Sequence, residues 1–485
     1  MRRLQSPARG WTAPERACKI QEKREEIMSM AAPVRSIVRD APVTSELAKR
    51  ASAIRYEDLP DDIRTLTRQC LLDWLAVTLA GSREELSRIL AEQAIEDCGK
   101  PAASLIGRSE KVSAQQAALV NGAASHALDY DDVNMAMNGH PTVPIVAALL
   151  ALAEDSDRSG ADFIAAFVAG YETECRIGAL VLPDHYGRGF HATGTIGSFG
   201  AATACAHLLG LDAEKTATAL GIAATQAAGL KSMFGTMCKP LHAGKAAQNG
   251  LLAALLAARG FTSRTDALEC AQGFAATQSS DFRPERALAE PHGGYHLRNN
   301  LFKYHAACYL THAPIECARK LRREHAIDPA AVRETSLKVD AGASKVCNIL
   351  APKNGLEAKF SLRLTTAMAL AGIDTARLDG YSETTAQDRA LATLRDKINV
   401  DFEPGRAHTQ ARLEVTLNDG RTFEASHDSG VPERDLAEQG RRLEAKFKSL
   451  AEPVLGKRAQ PLAAATAALD RQIDLRELAR LCVPI

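Results

Sequence analysis

Within seventeen residues, the run Ser125-His126-Ala127-Leu128-Asp129-Tyr130-Asp131-Asp132 and the triplet Gly139-His140-Pro141 supply three carboxylates and two imidazoles. They fall where an alanine-rich helical pattern breaks into a loop. Such a run packs a core poorly. It suits acid–base chemistry, because a carboxylate bonded to one ring nitrogen of a histidine fixes its tautomer and raises the basicity of the other nitrogen. Asp129 and His140 are the candidates here. Asp131 and Asp132 also read simply as helix-capping or solvent-facing groups.

Three further clusters follow. In Arg188-Gly189-Phe190-His191-Ala192-Thr193-Gly194-Thr195-Ile196-Gly197, a glycine-bearing loop runs into an alanine-rich helix. Free N–H groups at that helix start, with the hydroxyls of Thr193 and Thr195, can hold a carboxylate or phosphate, and His191 stands at the entrance. A plain Gly/Thr helix start is the alternative. In Lys239-Pro240-Leu241-His242-Ala243-Gly244-Lys245, Pro240 fixes a turn, and Lys239 and His242 converge on the start of a helix over 244–259. A lysine at the positive end of a helix is disfavoured unless an anion sits there too; the alternative is an ordinary surface lysine. In Lys303-Tyr304-His305-Ala306-Ala307-Cys308, Lys303 is a further candidate cation, with the same surface alternative. Cys308 precedes a helix that Pro314 helps to open, where a thiol pKa can fall, although lone cysteines commonly serve as inert packing. No HxH, HExxH or cysteine pair points to a metal, and there is no GxGxxG after a strand, no P-loop and no GxSxG elbow. No metal or cofactor is therefore expected.

The elements that must position these residues change character along the chain. From Thr44 to about Gly273 helix follows helix, with segments read at 113–128, 142–154, 160–182, 195–209, 212–228 and 244–259. Gly210, Gly229 and Gly260 fall where C-terminal glycines usually do. Their alanine and glycine content allows close packing. Between about 280 and 430 the grammar becomes α+β. Ser336–Asp340 reads as a strand, and Leu413, Val415 and Leu417 alternate with polar residues before Asn418-Asp419-Gly420 turns into Thr422–Ala425, a hairpin. Helices at 312–324, 358–372 and 386–398 accompany it, and helices return over Leu436–Leu450 and Pro461–Leu481. The predicted fold is mainly α: a discontinuous all-helical bundle (43–279 and 432–485) interrupted by a smaller α+β domain (280–431).

Composition sets the outer limits. With 59 basic and 59 acidic residues the formal charge is zero, so no global field draws in nucleic acid or a membrane surface. Eleven cysteines are dispersed without CxxC pairs, as expected of reduced thiols in a cytoplasmic setting. No apolar run approaches the roughly 18 residues of a membrane span. Residues 1–42 are basic but interspersed with glutamates and lack an apolar h-region; they read as a disordered tail, with Met28 or Met30 as alternative starts.

The four clusters, in this order, resemble the MmgE/PrpD family, as do Gly122–Asp129, Ala219–Ala223, Ala358-Lys359-Phe360-Ser361-Leu362, the Asp419-Gly420 hairpin and Lys446-Phe447. The resemblance covers roughly Val43 to Gly456. That family includes 2-methylcitrate dehydratase, cis-aconitate decarboxylase and iminodisuccinate epimerase. The resemblance implies a helical domain interrupted by an α+β domain, a site between them, a homodimer, and cofactor-independent lyase chemistry on a small di- or tricarboxylate, with epimerisation or racemisation the alternative and a non-catalytic binding protein a more distant one. By position, the decarboxylase-like site falls on Asp129, His140, His191, Lys239 and Lys303. Val133 stands where vertebrate-type decarboxylases carry threonine. Cys308 stands where they carry histidine, and a cysteine there resembles the fungal-type decarboxylase instead.

Overall fold

The computed structural model describes residues 41–156, 158–471 and 474–484. The expected tail lies almost wholly outside them. The principal helices are α1 (Val43–Ala53), α2 (Asp61–Gly81), α3 (Ala114–His126), α4 (Thr142–Ala153), α5 (Gly160–Val181), α6 (Gly197–Leu208), α7 (Ala213–Ala224), α8 (Cys238–Ala258), α9 (His312–His325), α10 (Leu362–Ala371) and α11 (Leu436–Leu455). Local sequence explains their starts. Ser113 with Gln116, and Ser159 with Asp162, form capping boxes at α3 and α5, and the Asp212 carboxylate caps α7. Every residue of α4 is buried, so its uniform hydrophobicity marks the centre of the bundle.

Helices α3 and α8 cross closely enough that a Cβ on Gly122 would meet the Gly244 backbone at 2.9 Å, and one on Gly244 would meet the Leu119 carbonyl at 2.2 Å. Only glycine fits such a crossing. It fixes the C-terminal end of α3, where the acidic run begins, against the N-terminal end of α8. After the sheet, α11 returns to pack along α2, which makes the helical part discontinuous as expected.

The α+β part holds a four-stranded sheet of β3 (Val332–Asp340), β4 (Ile398–Glu403), β5 (Gln410–Leu417) and β6 (Thr422–Asp428), in the order β4-β3-β5-β6. A two-stranded ribbon of β1 (Ala103–Ser104) and β2 (Lys111–Val112) sits apart in the helical part. The predicted hairpin is β5–β6, with Leu413 opposite Ala425, Val415 opposite Phe423, and Gly420 at φ 90° in the turn. Its buried residues pack with Leu337 and Val339 of β3, and with Ile315 and Leu321 of α9 and Leu362 and Leu370 of α10. Strand β4 was not foreseen. The helix expected over 386–398 ends at Asp396, and Ile398 opens a strand parallel to β3. The helix expected over 461–481 is broken into Ala459–Ala467 and Leu475–Leu481. Among the described residues, no helix is long and apolar enough to cross a membrane.

Candidate active site

The site begins where α3 ends. Beyond His126 the chain turns at Asp129, whose backbone adopts the left-handed conformation at φ 50°, a strained state that aspartate tolerates better than most residues. The loop then runs beside residues 300–304: Val133 and Leu301 exchange two backbone hydrogen bonds, each of 2.8 Å. This pairing carries Lys303 beneath Asp129. Helix α8 delivers Lys239 from the other side.

Asp129 is thereby pinned between cations. One of its carboxylate oxygens lies 2.6 Å from the Lys239 ammonium, 3.3 Å from that of Lys303 and 3.7 Å from His140 Nε2. Lys303 also donates to the Asp129 carbonyl at 2.6 Å. Burial works to raise the Asp129 pKa, but Lys239 and then Lys303 outweigh it and hold the carboxyl well below the usual range. Burial likewise opposes the charge on Lys239, and Asp129 overcomes it and raises the pKa. Asp129 stays ionised and Lys239 remains an ammonium group in place.

Behind this trio lies a second arrangement, centred on Asp131. Its Oδ2 hydrogen-bonds His126 Nδ1 at 2.9 Å, and His140 Nδ1 lies 2.9 Å from the same oxygen. Burial favours the neutral acid, but the two imidazoles hold the Asp131 carboxyl well below its ordinary value. An ionised carboxylate only accepts, so the His126 ring carries its proton on Nδ1 in this bond and leaves Nε2 without one. His126 Nε2 is buried without a hydrogen-bond partner, and His126 lines a cavity of about 690 Å³. Burial, partly offset by Asp131, lowers the His126 pKa to about 4, so the ring rests neutral with a free basic nitrogen.

Asp129, Lys239, Cys308 and Lys359 line the same cavity. Cys308 lies before α9 beside Cys347, and that neighbouring thiol, against the effect of burial, lowers the Cys308 pKa. His191 stacks on His126 at 5.7 Å and hydrogen-bonds His242 through their Nδ1 atoms at 3.0 Å. Burial and neighbouring cationic groups keep His191 well below its ordinary pKa, and burial also lowers His242.

Two expectations need correction. Thr193 and Thr195 are fully buried and do not line the cavity. The Thr193 hydroxyl accepts from the His140 backbone N–H at 3.1 Å, and that of Thr195 lies 2.8 Å from His185 Nε2. They brace His140 and His185. Helix α8 also starts at Cys238, not Gly244, so Lys239 and His242 lie on its first turns. Pro240 is tolerated inside that first turn because its missing N–H would have lacked a partner anyway.

His126, Asp131, Asp129 and His140 place ligating atoms within 4.8 Å of one another, the spacing of a metal cluster. The position beside Asp129 is already occupied by two ammonium groups, which would repel a divalent ion. The protein's own lysines supply the positive charge.

Among residues without an assigned role at the sequence level, Lys446 stands out. Its buried ammonium contacts Asp73 at 2.6 Å and donates to the carbonyls of Tyr130, at 2.7 Å, and Lys303, at 2.9 Å. It thus ties α2 and α11 to both loops that carry the site.

Comparison with known proteins places the chain among named relatives. The chain is 28% identical to "Cis-aconitate decarboxylase-like protein oryM" of Aspergillus oryzae, over 90% of this chain and 97% of that protein. It is 27% identical to a cis-aconitate decarboxylase of Aspergillus terreus, over 90% and 95% of the two chains. It is 26% identical to the Homo sapiens cis-aconitate decarboxylase, over 85% and 88%. The MmgE/PrpD N-terminal domain matches residues 45–287 and the MmgE/PrpD C-terminal domain residues 305–471. The chain belongs to the MmgE/PrpD family.

Proposed function

We propose that this protein is a lyase that removes carbon dioxide or water from a small di- or tricarboxylate using its own side chains. The observation that carries the reading is the clamp at Asp129: two ammonium groups converge on one carboxylate at the wall of a cavity also lined by His126, whose carboxylate-backed ring has no partner for Nε2. A substrate carboxylate entering there shares Lys239 and Lys303 with Asp129. In decarboxylation of an unsaturated acid, the bond to the departing carboxylate breaks and its electron pair spreads through the double bond toward a remaining carboxylate. The lysines stabilise that charge, and an acid then protonates the carbon. In dehydration, His126 or His140 takes the proton next to a carboxylate through Nε2. The electron pair forms the double bond, and the β-hydroxyl leaves as water with a proton from an ammonium or thiol donor. The sequence relatives, with cis-aconitate in their names, favour decarboxylation.

Proton NMR in deuterium oxide with cis-aconitate, 2-methylcitrate and related acids tests the proposal. Loss of carbon dioxide or water from one of them is expected. Deuterium exchange without net conversion would replace the lyase reading with epimerisation, and silence across the panel would refute catalysis on these acids. Lys239→Ala should lower kcat/KM by about 100- to 1,000-fold, as removal of a transition-state charge stabiliser does. Near-normal turnover in that variant would remove the clamp from the mechanism.

A further inference from the structure

Lys359 lines the same cavity as Asp129, Lys239 and Cys308, and it differs from the other two lysines in one respect. Lys239 and Lys303 are held by Asp129. Lys359 is half-buried, and among the described residues no carboxylate lies within ion-pair distance of its ammonium. The ammonium lies 5.9 Å from the centre of the Tyr381 ring. Its backbone is fixed: the Cys308 N–H donates to the Lys359 carbonyl at 3.0 Å, and the Lys359 N–H donates to Gly355 at 3.3 Å. The side chain is therefore presented from the same wall as Cys308 by bonds that do not involve the ammonium. A desolvated cation without a counter-ion is costly unless an anion arrives. Glu84 is the strongest favourable charge acting on it, yet it makes no contact, and Lys303 repels it.

We propose that Lys359 binds a second carboxylate of the substrate, so that the pocket selects polycarboxylates over monocarboxylates. One carboxylate engages Lys239 and Lys303 at Asp129, and the other engages Lys359 beside Cys308. This rests on the carboxylate-lyase reading above and adds the rule by which its substrates are chosen. The Lys359 ammonium is a specificity-determining group and takes no part in proton transfer.

The test is calorimetric titration of the full chain with glutarate and with monomethyl glutarate, probes of similar size that differ by one charge. The wild type is expected to prefer glutarate by about 10- to 100-fold, the scale of one charge-assisted contact. Lys359→Gln should bind both alike, and Lys359→Arg should restore the preference. For whichever acid is turned over, Lys359→Gln should raise KM by a similar factor and leave kcat within a few-fold. If the wild type does not prefer glutarate, or Lys359→Gln keeps the preference, the assignment of Lys359 is overturned and the lyase reading stands. If the wild type binds neither probe, the carboxylate pocket itself is refuted, and the role of Lys359 with it.

Discussion

Replacing Asp131 with asparagine separates the orientation of the histidines from the rest of the site. One oxygen of Asp131 serves two imidazoles, with His126 Nδ1 and His140 Nδ1 each at 2.9 Å. Asparagine keeps the shape but loses the charge, and its amide donates where the carboxylate only accepted. A charge-assisted bond contributes about 1.5–3 kcal/mol and a neutral one about 0.5–1.5 kcal/mol, so each contact weakens by roughly 1–1.5 kcal/mol. If both rings must present a basic Nε2, about 2–3 kcal/mol of transition-state stabilisation is lost, which lowers kcat roughly 30- to 150-fold. One ring can also turn its proton to Nε2 to accept from the new amide, and nitrogen-15 NMR of labelled histidines reads this directly. The expected result is a fall in kcat with a tautomer change in His126 or His140, and little change in KM. If both rings keep Nδ1–H and kcat falls less than threefold, Asp131 does not set the histidines and the proton-transfer assignment fails.

Other outcomes follow from particular contacts. Lys446→Met should destabilise the fold by about 3–5 kcal/mol, because it leaves the Asp73 carboxylate buried without its cation; Lys446→Met with Asp73→Leu should recover most of the loss in thermal melts. Asp132 has its carboxyl pushed up to about 7, chiefly by burial. A raised carboxyl pKa gives stability that is fully present below its ordinary value near 4 and is lost as pH rises through about 7. The advantage of Asp132→Asn over the wild type should therefore grow steadily as pH rises from about 4 to about 7 and level off above that, by up to about 4 kcal/mol over the whole roughly three-unit shift. A gap that does not grow with pH would show that Asp132 does not titrate in this window. The Cys308 thiol should alkylate with an apparent pKa below that of a free cysteine, and Cys347→Ala should raise it. Cys308→Ser should keep kcat within about tenfold if the thiol only shapes the pocket; a loss of roughly a thousandfold in both Cys308→Ser and Cys308→Ala, with binding intact, would make it the acid.

Much of the architecture was legible because helical periodicity and turn residues are local signals. The hairpin at Asn418-Asp419-Gly420 and the capped helices α3, α5 and α7 needed no tertiary information. The errors arose where two local readings competed. Pro240 reads as a turn, yet a proline in a first helical turn costs little, so α8 began six residues earlier than expected. Ile398, Val400 and Phe402 alternate as a strand should, but they follow directly on a helical pattern that masked them. Thr193 and Thr195 suggested an anion site because glycine and threonine at a helix start permit one. Their hydroxyls are instead used by His140 and His185, partners fixed by the three-dimensional fold.

The same distinction explains which residues of the candidate site stand out in the sequence. Asp129, His140, Lys239 and Lys303 each sit in a polar cluster that interrupts an apolar pattern, so each announced itself. His126 lies in the quoted run, but its pairing with Asp131 crosses the end of a helix, and periodicity does not encode that geometry. Lys446 and Asp73 left a fainter trace. Asp73 is an acid within the run Cys70-Leu71-Leu72-Asp73-Trp74-Leu75, where every neighbour is buried. A carboxylate on such a face costs several kcal/mol unless a cation reaches it, so the run itself demands a partner. The sequence cannot say which of its many lysines answers, because Lys446 lies 373 positions away, an interval read directly from the two residue numbers. That long-range pair, by holding the carbonyls of Tyr130 and Lys303 together, is what keeps Lys303 under Asp129. The chemistry of the site was written in short motifs, whereas the bracing that gives those motifs a fixed geometry exists only once the chain has folded.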